Sequence, residues 1–231
     1  MAPPSAGPTS STTAESRRLR GILELALPVL LVQGRRLMGH PALRELYPRY
    51  LVLAHTKIRA SVPLMETALA ACRRLPDDPV AVLLADYLEH HVPEERGHDE
   101  WLLADLAAVG VAAEEVRAVV PSPSVAALVG AQYYWVQHVH PVGLLGYIGL
   151  LEGYPPAPEE IERMRTATGY GAEAFRTLLL HAELDPHHGA ELDELLDALP
   201  LTDAQRNLVG LSAITSVQLA AAALQELLDR A

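Results

Sequence analysis

The stretch HAELDPHHG, residues 181–189, sets His181, Asp185 and His188 at i, i+4 and i+7. On an α-helix these spacings are a single face. The preceding turn, AFRTLLL at 174–180, is strongly apolar, so that face continues a buried stripe. Two imidazoles and a carboxylate projecting into a helical core suit a divalent transition metal, with iron, manganese and zinc all admissible on ligand type. A solvated polar face is the competing reading of the triplet taken alone.

Working outward, apolar residues recur at three- and four-residue spacing, and Pro, Gly and capping residues punctuate them. A first helix is predicted over 14–38, ended by GHP at 39–41, and a second over 42–74. A third runs from Pro79 to about 109 with a kink at Pro93. SPS at 122–124 opens a stretch reaching 153, bent at Pro141. Further helices cover 157–167, 170–198 and 202–230, the last capped by Thr202 and Asp203. The expected fold is all-α, a bundle of seven to eight helices over 14–231, preceded by a disordered tail at 1–13 rich in Pro, Ser and Thr.

Composition agrees. Of 231 residues, 50% are hydrophobic but only 5% aromatic, a balance of helical packing with almost no sheet. The net charge of −11 argues against nucleic acid as a partner. One cysteine, Cys72, excludes an intrachain disulfide framework and any cysteine-built metal cage, and a reducing cytoplasm is the expected compartment. The apolar runs at 22–32 and 142–151 are too short to span a bilayer, so no membrane association is expected.

Two other segments carry candidate chemistry. In PEERGHDEWLLADL, residues 93–106, Glu95 and His98 form a Glu-x-x-His pair, a spacing used by di-iron carboxylate proteins, although a charged surface also explains the run. In HPVGLLGYIGLLEGYPP, residues 140–156, Glu152 ends an apolar segment with no other charge from Pro141 onward. Buried there, its carboxylate needs a metal, a proton or an exit at the helix end. Together three helices would supply Glu95, His98, Glu152, His181, Asp185 and His188, enough donors for two metals with positions left open.

The ordered set EExxH at 94–98, LEGYPP at 151–156 and HxxxDxxH at 181–188 resembles the haem-oxygenase-like di-iron oxidases and oxygenases, over roughly residues 40–200. The resemblance implies the haem-oxygenase-like helical fold with a di-metal site in its core, two Fe(II) ions as cofactors and O2 as co-substrate. It implies that His98, Glu152 and His181 bind one iron, that Asp185 and His188 bind the other, and that Glu95 lies between them. The first of the carboxylates varies in place within the family, three, seven or ten residues before the histidine. Those places hold Glu95, His91 and Leu88 here, so Glu95 is the choice and His91 an outer group. Glu66, in SVPLMETALAA at 61–71, is an optional extra ligand. Gly149 and Gly153 are expected to allow close helix contact.

The implied activity is oxidation of a small substrate, as N-oxygenation, desaturation or oxidative carbon–carbon cleavage, in natural-product biosynthesis. An external electron donor and a homodimer are compatible with it. Two Fe(II) against three carboxylates leave a formal charge of about +1, which favours a substrate bearing a carboxylate, derived from an amino acid or a fatty acid. The alternatives are a metal-binding or metal-free helical binding or storage protein without turnover, and a thiaminase-like hydrolase dependent on Cys72.

Overall fold

The computed structural model describes residues 14–230; the expected tail at 1–13 lies outside them. The described residues are helical, in the order α1 (Glu15–Ala26), α2 (Pro28–Met38), α3 (Leu43–Cys72), α4 (Pro79–Glu95), α5 (His98–Ala108), α6 (Ala113–Arg117), α7 (Pro123–His138), α8 (Leu144–Gly153), α9 (Pro158–Thr168), α10 (Arg176–Ala198) and α11 (Asp203–Leu228). Short 3-10 turns precede α8 and α10.

Eleven α-helices stand among the described residues where seven or eight were expected, because three long stretches are divided and the short α6 forms between two of the expected helices. The first divides at Leu27, ahead of Pro28, into α1 and α2. The third runs on through Pro93, which lies inside α4, and breaks at Gly97, whose φ of 89° belongs to the left-handed region that glycine enters freely. The stretch after Ser122 divides at Pro141, which starts a 3-10 turn leading into α8. The remaining ends follow local chemistry. Asp78 caps α4 by accepting from the amides of Val80 and Ala81 at 2.8 and 3.2 Å, and Thr202 caps α11 in a reciprocal box with Gln205.

Two of the three apolar clusters among the described residues frame the expected ligands. The larger joins Leu64 and Met65 of α3, Leu84 and Leu88 of α4, Leu145 and Ile148 of α8, Leu192 and Leu196 of α10 and Val209 and Val217 of α11. The smaller joins Tyr47 and Leu51 of α3 to Leu102 and Leu106 of α5, Ile161 of α9 and Phe175. α10 serves both, with Leu178 and Ala182 against the smaller and Leu192 against the larger. The polar residues of 181–188 therefore fall where the clusters meet. So do those of 95–98, between Val92 in one cluster and Leu102 in the other.

α8 is buried along almost its whole length and packs on α10 and α11. By length and composition α11 could itself cross a membrane. Here Val209, Ala213 and Val217 lie in the core, and the helix packs on α8, α2, α7 and α1. Gly146, rather than Gly149 or Gly153, makes the close approach: a Cβ there would lie 2.5 Å from the backbone nitrogen of Ala213 and nearer still to the carbonyl of Val209. Gly149 would meet side chains alone, Leu19 at 3.0 Å with Leu23 and Leu192 at 3.5 and 3.6 Å, and Gly153 nothing within 4 Å.

Gly146→Ala is accordingly expected to force α8 and α11 apart, at a cost of about 3 kcal/mol or more. In a thermal melt followed by circular dichroism this is a fall in Tm of roughly 6 °C or more. An unchanged Tm would contradict the packing.

Candidate metal centre

α4 ends at Glu95 and α5 begins at His98, so the turn at Gly97 leaves both side chains facing inward. Glu95 Oε2 lies 3.2 Å from His98 Nδ1, and its Oε1 lies 3.5 Å from His188 Nδ1. One carboxylate thus stands between imidazoles from different helices. The rings of His98 and His181 meet edge to face with centroids 5.0 Å apart, and Trp101 stacks on His98 at 4.0 Å.

His181 is held by its own helix. Its Nδ1 lies 2.8 Å from the Thr177 carbonyl and donates to it, which leaves Nε2 as the atom with a free lone pair. Thr177 is anchored in turn by Asp105, a fully buried carboxylate of α5 that accepts from the Thr177 amide at 2.9 Å. Asp105 therefore caps the start of the helix that carries three of the expected ligands.

On the other side of Glu95, Glu152 does not escape at the end of α8. It is buried, and its Oε1 lies 2.8 Å from His91 Nε2. The ring of His91 meets that of His188 at 5.1 Å, and donor atoms of His91, Glu152 and His188 all lie within 4.8 Å of one another. Asp185 is buried one helical turn before His188, within electrostatic reach of Glu152 and Glu95.

All six expected residues thus gather at one place, in a grouping that differs from the one the resemblance implies. His98 and His181 flank one side of Glu95; His188, Glu152 and His91 form the other, so Glu152 stands with His188 instead of with His98. Glu66 is not among them. It faces solvent on α3 and pairs with Arg96. His91 is the residue that was given only an outer role. Its signal was its place one turn before Glu95 and two before His98, on the same face.

The residues fit a metal by their unmet bonding. His91 Nδ1, His98 Nδ1, His188 Nδ1 and Glu152 Oε2 are buried without a hydrogen-bond partner, a cluster of orphans that a folded core does not tolerate without an ion or solvent to meet them. Charge points the same way. Burial raises the Glu152 carboxyl above the usual range, and burial together with Glu152 and Glu95 pushes Asp185 up to about 8. Burial opposes charge on Glu95 too, but His98, His91 and His188 outweigh it and hold its carboxyl low. His181 is held low by burial, hence neutral and ready to coordinate.

A sequence model of the family described as iron-containing redox enzyme matches residues 53–221. The chain belongs to that family. Among solved structures it is similar to a TenA homologue from Pseudomonas syringae pv. tomato, at TM-score 0.73 and 14% identity over 97% of this chain and 98% of that one. It is also similar to a domain of unknown function with a heme oxygenase-like fold from Shewanella denitrificans, at TM-score 0.67 and 21% identity over 94% of this chain and 89% of that one. These likenesses establish the haem-oxygenase-like fold. A search of curated proteins finds no match.

A metal entering this site would meet a pH dependence set by the raised Asp185 carboxyl. Below about 8 the metal-free site keeps a proton on Asp185, which an incoming ion must displace. Affinity for Mn(II), measured by calorimetry, is expected to rise with pH by up to roughly tenfold per unit and to level off above about 8. Affinity independent of pH between 6 and 8 would remove Asp185 from the centre.

Proposed function

We propose that this iron-containing redox enzyme is a non-haem di-iron oxidase or oxygenase that uses O2 to oxidise a small, carboxylate-bearing substrate. The observation that carries the proposal is Glu95 standing between His98 and His188, with His181 beside the first and His91 and Glu152 beside the second. That arrangement suits two metals sharing one carboxylate, held by His98 and His181 on one side and by His188, Glu152 and Asp185 on the other. Bound there, an iron pair supplies the electrons and the open coordination positions that reduction of O2 requires.

The chain's own part is placement, charge and exclusion of water. The Thr177 carbonyl fixes the His181 tautomer, and Asp105 fixes the turn that carries both. The three carboxylates offset most of the metal charge, and the formal remainder of about +1 favours an anionic substrate group. A cavity of about 400 Å³ between α1, α8 and α10 reaches Glu152 and Asp185. Leu19, Leu23 and Leu192 line it, and it is large enough for a small organic molecule. Arg20 and Asp193, paired at 3.2 Å, stand on its wall. An external electron donor would return the irons to the reduced state between turnovers.

The thiaminase-like alternative needs an activated thiol. Cys72 is buried in the larger apolar cluster, and burial pushes its thiol up to about 12, so the thiolate is scarce at neutral pH.

Anaerobic loading with Fe(II) is expected to leave about two irons per chain. Mixing with O2 is expected to give transient visible absorption and substrate-dependent O2 consumption across a panel of amino acids, amines and fatty acids. His181→Ala and Glu152→Ala should lose iron while circular dichroism keeps its helical signal. Two tightly held irons with no O2 reaction under any condition would favour storage over turnover.

A further inference from the structure

We infer that His91 is a metal ligand, a further buried donor of the centre's second position beside His188, Glu152 and Asp185. The inference rests on the di-metal reading above and extends it to a residue outside the expected set. His91 and Glu95 lie one turn apart at the end of α4, so the face that presents Glu95 presents His91 as well. The imidazole is fully enclosed. Tyr87 stacks on it at 5.0 Å, and Nε2 is turned toward Glu152.

A hydrogen bond from His91 to Glu152 explains one contact, but not the cluster. His188 brings a third donor within 4.8 Å of both, and neither Glu152 Oε2 nor His188 Nδ1 is hydrogen-bonded. Ligands about 2.1 Å from one ion stand about 3 to 4.2 Å apart, so a separation at the 4.8 Å bound closes by about 0.6 Å or more when the three hold one ion. With Nε2 on the metal, the proton of His91 moves to Nδ1, which faces Glu94 Oε2 at 3.8 Å. A carboxylate behind a metal-bound imidazole fixes its tautomer and strengthens it as a donor. His90, the adjacent histidine, is exposed, with Nδ1 against the Asp86 carbonyl at 2.7 Å, so only one of the pair enters the centre.

The test compares the full-length wild type with His91→Gln and His91→Glu, each stripped by chelation, loaded with Co(II) without O2, desalted and assayed for metal. Gln keeps an N–H for Glu152 but is a poor ligand, whereas Glu supplies a donor. The wild type is expected to hold about two ions, His91→Gln about one, and His91→Glu about two with altered Co(II) visible absorption. His91→Gln retaining two ions with the wild-type spectrum would overturn the assignment and leave the di-metal reading standing; a wild type that takes up no metal would overturn both. A measurement on the wild type alone guards against a variant that fails to fold. Its Co(II) form should show four paramagnetically shifted imidazole N–H resonances, from His91, His98, His181 and His188, and three would reduce His91 to an orienting group.

Discussion

Three carboxylates, Glu95, Glu152 and Asp185, are withdrawn from water beside one another in an apolar bundle. Left ionised and uncompensated, each would cost several kcal/mol. Protons answer part of the cost, which is why Asp185 is held up to about 8, and the neighbouring imidazoles answer another part. Divalent metal answers all of it, since carboxylates and neutral imidazoles are the donors such ions take. The centre is thus an electrostatic debt built into the core, and much of the surrounding structure serves to hold it.

That service is visible in positions that touch no candidate ligand. Gly146 lets α8 lie against α11 closely enough for Glu152 to remain buried at the helix end. Gly97 divides α4 from α5 while keeping Glu95 and His98 inward. Asp105 spends a buried charge on the first turn of α10, and through Thr177 that turn sets the tautomer of His181. Ligands placed on packed helices and braced by hydrogen bonds of this kind keep their geometry better than ligands on loops.

Local chemistry made much of this legible in the sequence. α3 and α11 were readable from three- and four-residue apolar spacing and from Thr202, and the face of His181, Asp185 and His188 from helical spacing alone. Breaks inside long stretches were less legible, because a proline tolerated within a helix, such as Pro93, looks the same in one dimension as a proline that ends one. Glu66 lies in an apolar run and Glu95 in a charged one, yet tertiary packing turns the first to Arg96 and solvent and the second to His98 and His188. His91 was discounted because a histidine stood where a carboxylate was sought. Its i, i+4 and i+7 relation to Glu95 and His98, the rule that selected His181, Asp185 and His188, marked it all the same.

The proposed pair of metals around Glu95 is the feature on which the whole bundle's polar interior turns. Diffraction from crystals of the iron-loaded protein at wavelengths on either side of the iron absorption edge tests it most directly. Two anomalous peaks roughly 3.5–4 Å apart are predicted, one beside His98 and His181, the other beside His188 and Glu152, with the Glu95 carboxylate between them. A single peak, or iron bound only at surface carboxylates such as Glu66, would contradict the account.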